Sequence, residues 1–337
     1  MDPDGIAESA PIVHGSDPDA ALDFSANCNP RVPADTTAVY SSAFERAQEY
    51  PADYGAFRNE TAAFVDCKPE QVVPTAGGMA AIRLAIATTT TPDGSVALCR
   101  PTFGEYAREI TLQGARVVSV PESEILQIDP RTHDLVIICT PNNPTGWLPD
   151  RSALRSFVER CRETDTAVLL DEAFLGFTDQ RSLAGTPGVI VARSLTKLFG
   201  LPGLRMGSVI ATDTHLERLK TAVTPWPLSV PAAAVAVHCL QSKAFIAETK
   251  RRVRRERSRL REALAGPFDV QGSQAPFLLL DVGTPDRVGA LSSKLRAEGI
   301  AIRDATTFDG LNHHVRIAVR TADENDQLIA ALTDGVD

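Results

Sequence analysis

From about residue 70 to 235 the chain alternates short, unbroken apolar runs with longer stretches of helical character. The runs are VVP at 72–74, VALC at 96–99, RVVSV at 116–120, LVIIC at 135–139, AVLLD at 167–171, VIVAR at 189–193 and SVIA at 208–211. Their hydrophobicity is continuous rather than alternating, which predicts strands covered on both faces. Helical segments lie between them, such as 151–164, with Asp150 placed as its N-cap. This alternation predicts an α/β fold with a mostly parallel sheet flanked by helices. In such sheets ligands bind beyond the carboxyl ends of the strands.

A long basic helix is predicted over roughly 241–265, containing KRRVRRERSRLREAL. Glu248, Glu256 and Glu262 offer it helix-face pairs, so it reads as a solvated helix between two domains rather than a polyanion site. PFLLLDV (276–282), a helix near 286–298, IAIR (300–303), VRIAVR (315–320) and a last helix near 323–333 follow, forming an α+β unit. The 337 residues suit one large domain and one smaller one. A net charge of -9 gives no support for a nucleic-acid partner. No apolar run approaches the roughly 20 residues that span a bilayer, and the acidic start MDPDGIAESA is not a signal peptide. The six cysteines form no C-x-x-C pair and no zinc-ligand spacing, so no metal is expected and a reducing, cytoplasmic setting is. No G-x-G-x-x-G stands at a strand–helix turn, which sets aside a nicotinamide enzyme.

Three segments carry chemistry. R-S-L-T-K-L-F-G-L-P-G-L-R at 193–205 follows a predicted strand and sets Lys197 among the hydroxyls of Ser194 and Thr196 and the guanidinium of Arg205. An amine nucleophile needs nearby cations and desolvation, and hydroxyls with an arginine hold a phosphate. This set suits a lysine that binds a phosphate-bearing aldehyde. A-V-L-L-D-E-A-F at 167–174 ends a strand on Asp171, which is either a helix cap or a counter-ion for a pyridinium nitrogen. C-T-P-N-N-P-T-G at 139–146 is either a plain tight turn or a placement of Asn143 against a cofactor hydroxyl. T-A-G-G-M at 75–79 offers backbone amides at a helix N-terminus for a phosphate, and Phe103 in P-T-F-G-E-Y offers a ring to stack or a core aromatic.

Together and in this order, N-P-T-G, D-E-A-F and S-L-T-K…R resemble the fold-type-I pyridoxal-phosphate enzymes of the class I/II aminotransferase group, over nearly the whole chain. The resemblance implies a seven-stranded sheet in a large domain, a small domain built from both termini, and a homodimer with shared active sites. The domains are then an arm at 1–30 joining the small domain, a large cofactor domain at 31–235, and a small domain at 236–337. It implies that Lys197 is the catalytic Schiff-base lysine, Asp171 pairs the pyridinium and Asn143 holds the ring hydroxyl. Ser194, Thr196, Arg205 and the Gly77–Gly78 backbone hold the phosphate, Phe103 stacks on the ring, and Tyr54 reaches the partner subunit's cofactor phosphate. Arg316 looks like the arginine that grips the substrate carboxylate.

Two branches of the group compete. H-G at 14–15, L-D-F-S-A-N-C-N-P at 22–30, Phe174 in place of the usual tyrosine, and Arg320 after Arg316 resemble the threonine-phosphate decarboxylase branch more than the histidinol-phosphate aminotransferase branch. The resemblance implies a small phosphorylated amino acid as substrate, bound by His14, Asn27, Arg316 and Arg320, and cobalamin synthesis as the destination. A non-catalytic binding protein of the same fold is the alternative from another class; it would not need the full set Lys197, Asp171, Asn143 and Arg205.

Overall fold

The structure, a computed structural model, describes Ile12 and residues 14–334. The predicted 1–30 arm is therefore described only in part. A short strand β1 (Leu22–Asp23) and helices α1 (Thr36–Phe44) and α2 (Gly55–Val65) precede the main sheet. Its strands are β2 (Val72–Ala76), β3 (Ser95–Arg100), β4 (Arg116–Pro121), β5 (Leu135–Cys139), β6 (Ala167–Asp171), β7 (Val189–Ser194) and β8 (Met206–Ile210). Helices α3 (Gly78–Thr89), α4 (Glu105–Leu112) and α5 (Arg151–Arg162) lie between them. The strand order is β2-β8-β7-β6-β5-β3-β4. Only β8 runs against its neighbours. Each of the seven apolar runs read from the sequence is one strand of this sheet.

The continuous hydrophobicity has the expected cause. In β5, Leu135, Ile137 and Cys139 join the core on one face while Val136 and Ile138 join the core on the other. Each such aliphatic side chain contributes about 1.5–3 kcal/mol by leaving water. Asp150 caps α5 by accepting from the backbone N–H groups of Ser152 (2.9 Å) and Ala153 (3.0 Å).

Helices α6 (Asp213–Ala222), α7 (Val230–Gln241) and α8 (Lys243–Leu264) lead to a second unit. This contains β9 (Asp269–Val270), β10 (Phe277–Asp281), α9 (Pro285–Ala297), β11 (Ile300–Ala301), β12 (Arg303–Asp304), β13 (His314–Ala318) and α10 (Ala322–Thr333). An antiparallel sheet β12-β13-β10-β9 is its centre, and β1 pairs in parallel with β11. The long basic helix carries the expected face pairs, with Arg251 on Glu248 (2.6 Å) and Arg259 on Glu256 (2.7 Å). The run IAIR differs from the single strand expected. It breaks at Ile302, because its first half pairs with β1 and its second half with β13, in a different sheet. Among the described residues no single helix is long and apolar enough to cross a membrane.

Candidate active site

A cavity of about 630 Å³ opens at the carboxyl ends of the central strands, where the topology places ligand sites. The end of β6 and the turns after β5 and β7 bring Asp171, Asn143 and Lys197 into its wall, with Ser194, Thr196, Arg205, Phe103 and Gly78. Phe174 lines it from the turn after β6, and His14, Asn27, Arg303 and Arg316 complete the lining from the N-terminal segment and the second unit.

At one end lies an anion cradle. Gly77 is the N-cap of α3 at φ +88, a backbone state that suits glycine. A Cβ there would meet the Arg205 guanidinium at 3.0 Å, so backbone and cation close on the same small space. The Ser194 and Thr196 hydroxyls, 2.8 Å apart, complete it. The unpaired N–H groups of the first helical turn and the helix dipole favour a phosphate here.

At the other end Asp171, 5% exposed, accepts from the Tyr106 hydroxyl (2.6 Å) and the Ala173 N–H (3.0 Å). Burial pushes its pKa up despite these two bonds. A cation delivered to its carboxylate would reverse that shift, so the site is suited to a protonated ring nitrogen. Phe103 makes an edge contact with Tyr106, centroids 5.5 Å apart, and His14 lies 5.6 Å beyond it. Lys197 lines the same cavity, with Nζ 3.6 Å from the Cys28 thiol.

The same elements recur in known proteins. The aminotransferase class I and II family matches residues 23–332. The chain belongs to this family. Threonine-phosphate decarboxylase of Salmonella typhimurium is 30% identical, covering 97% of this chain and 94% of that protein. Histidinol-phosphate aminotransferase of Pseudoalteromonas atlantica is 32% identical over 86% of this chain and 82% of its own length. The crystal structure of histidinol-phosphate aminotransferase from Sinorhizobium meliloti, in complex with pyridoxal-5'-phosphate, superposes with a TM-score of 0.84 at 22% identity, covering 93% of this chain and 90% of that one. The fold is that of the fold-type-I enzymes, and the cofactor is pyridoxal phosphate. The cradle, the buried carboxylate and the lysine of this one cavity fit a phosphate, a pyridine nitrogen and an aldehyde respectively.

Two expected residues, Arg320 and Tyr54, lie outside the cavity lining. Arg320 does not line the cavity: its guanidinium donates to the Asp23 carbonyl (2.9 Å) and to Glu324 (2.7 Å). Were β13 continuous through 320, Arg316 and Arg320 would share a face. The strand instead ends at Ala318 and the chain turns into the Thr321 cap of α10. The arginine that lines the cavity beside Arg316 is instead Arg303, its cross-strand partner, with which it shares a face. Tyr54 lies outside this chain's own cavity, its hydroxyl donating to the Leu228 carbonyl (2.8 Å).

Three roles escaped the sequence reading. Tyr106 stands three residues beyond Phe103, a spacing that on a helix would have marked a shared face. Glu105 holds the His14 imidazole, Oε1 to Nε2 2.7 Å. Asn29 braces the lysine loop: its N–H donates to the Lys197 carbonyl (2.9 Å) and its Nδ2 to the Leu198 carbonyl (2.8 Å), while Oδ1 accepts from Arg252 (2.7 Å). Asn29→Ala is expected to lower unfolding free energy by about 2–3 kcal/mol, because a buried guanidinium loses its acceptor. Urea denaturation of the two proteins measures this.

Proposed function

We propose that this enzyme decarboxylates L-threonine O-3-phosphate to (R)-1-amino-2-propanol O-2-phosphate, with Lys197 carrying the cofactor. One observation carries the reading. The two segments most like the decarboxylase branch, His14–Gly15 and Ser25–Ala26–Asn27, meet at the cavity. They pack so closely that a Cβ on Gly15 would lie 2.2 Å from the Ser25 carbonyl oxygen. Three further features support it. Asn27 turns a buried Oδ1 with no hydrogen-bond partner toward a space where an amine must bind. Arg303 and Arg316 bring two guanidiniums to one wall, suited to a substrate with two anionic groups. Phe174, packed edge-on against Phe277 at 5.1 Å, offers no hydroxyl to the cofactor, leaving that hydrogen bond to Asn143 alone.

Bound pyridoxal phosphate supplies an electron sink for the pair left when a bond at the substrate's Cα breaks. Which bond at Cα breaks is set by how the substrate is held, so the protein's task is orientation. Arg316 would donate to one anion and Arg303 to the other. Asn27 Oδ1 accepts from the substrate amine, and His14, held by Glu105, closes the mouth. With the substrate held so that its carboxylate is lost as CO2, the Lys197 amine would deliver the replacing proton to Cα. Asp171 keeps the proton on the ring nitrogen, and Asn143, whose Oδ1 is taken by Arg316, donates its Nδ2 to the ring hydroxyl.

A homodimer belongs to the same proposal. Phe44 (62% exposed), Tyr50 (73%) and Trp226 (53%) leave large apolar surface in water, Tyr50 and Trp226 stacked at 4.1 Å. A second copy over this face would also lie near Tyr54.

The deciding experiment gives the cofactor-loaded protein L-threonine O-3-phosphate and follows CO2 and the amine product. A parallel sample receives histidinol phosphate with 2-oxoglutarate, read as glutamate. The expected result is CO2 without glutamate. Glutamate without CO2 would assign the chain to transamination, the activity named for several relatives of similar identity. Turnover of neither, despite a loaded cofactor, would favour the non-catalytic reading.

A further inference from the structure

A second chemical cluster stands on the small antiparallel sheet, outside the residues that line the Lys197 cavity. The register of β9, β10 and β13 puts Asp269, Asp281 and His314 in one cross-strand row. His313, just before β13, stacks its ring on His314 with centroids 4.7 Å apart and planes at 24°. His313 Nδ1 lies 2.6 Å from Asp281 Oδ1. One donor atom from each of Asp281, His313 and His314 lies within 4.8 Å of the other two.

His314 is the residue that requires explanation. It is only 8% exposed, and its Nδ1 is buried without a hydrogen-bond partner among the described residues. An unsatisfied buried nitrogen of this kind costs about 1–3 kcal/mol, and in native proteins such a group commonly marks a missing water or ion. His313 and Asp281 are partly exposed beside it, which leaves room for water as a further ligand.

We propose that Asp281, His313 and His314 bind one divalent transition-metal ion. Two imidazoles and a carboxylate select zinc over magnesium or calcium, which take oxygen donors. Asp269, next in the row, adds negative charge without entering the inner set. None of the three ligands lines the cavity that holds Lys197, so the ion is structural: it ties the end of β10 to the start of β13.

Untagged, cofactor-loaded protein is treated with chelator, freed of it, and titrated with zinc chloride by calorimetry, with magnesium chloride in parallel. The expected result is one zinc per chain, no comparable magnesium binding, and a higher melting temperature with zinc. His314→Gln and His313→Gln are each expected to weaken zinc binding by at least about 100-fold. His313 is partly exposed, so its variant keeps the fold and decides the matter if the other does not. Failure of the wild type to take up a stoichiometric ion, or uptake that the His313 variant retains, overturns the proposal. Neither result bears on which amino acid the enzyme uses.

Discussion

Lys197→Ala is expected to abolish turnover while leaving the fold intact. Lys197 is the one lysine among the described residues of the cavity wall. Its removal therefore takes away both the attachment point for the aldehyde and the amine that moves the proton at Cα. Loss of a positioned proton-transfer group alone costs about 10²–10⁴-fold; with attachment lost as well, the upper end or beyond is expected. Stability is a different matter. The Nζ contact is a 3.6 Å approach to the Cys28 thiol rather than a buried ion pair, so no charge is left uncompensated by the change. Unfolding free energy is expected to shift by no more than about 1 kcal/mol. The cradle of Gly77, Ser194, Thr196 and Arg205 is untouched, so the variant is expected still to bind cofactor, but to release it on denaturation after borohydride reduction. Mass spectrometry of the reduced, denatured protein reads this directly. Cofactor mass retained on the Lys197→Ala chain would move the attachment to another residue.

The large sheet was legible because its signal is local. A strand buried on both faces must be apolar at consecutive positions, and seven such runs stand out against helical spacers. That Asn143, Asp171 and Lys197 share one cavity wall was legible for a related reason: each stands at or within four residues of the carboxyl end of a strand, and parallel strands deliver those ends to one edge. The substrate side was less so, because it depends on where a strand stops. Arg316 and Arg320 have the right parity to share a face, but nothing in V-R-I-A-V-R says that pairing ends at Ala318. Arg303 sits in a run that reads as one strand and is divided between two sheets, a division set by which partner each half meets. Asn29 was hidden because a buried asparagine that satisfies backbone carbonyls looks, in sequence, like any turn residue.

Arg316→Gln is the change expected to affect substrate binding most. The guanidinium is buried, donates to Asn143 Oδ1 and to the Ser25 carbonyl (2.9 Å), and lies against the Phe277 and Phe308 rings at 5.3 and 5.8 Å. Burial, with the nearby Arg303 charge, pulls its pKa down to about 9. Truncating one partner of a buried, hydrogen-bonded charge pair costs about 2–5 kcal/mol, so KM for an anionic substrate is expected to rise by about 30-fold or more. Asn143 also loses the donor that fixes its amide, so kcat is expected to fall as well. Lysine at this position is not expected to rescue either value, since one ammonium cannot reach both the asparagine and the carbonyl in the planar geometry of a guanidinium. The pH dependence follows from the depressed pKa. Below about 9 the group is a cation and holds the anion; as pH rises through that value the free enzyme loses the charge and KM climbs. The bound anion favours the charged form, so kcat at saturation is expected to hold to higher pH than kcat/KM. For stability the sign is opposite. The folded chain gives up this proton more readily than the unfolded one, so the penalty for burying the charge is full below about 9 and is relieved as pH rises above it. A variant whose kcat/KM keeps the wild-type alkaline limb would assign that limb to another group.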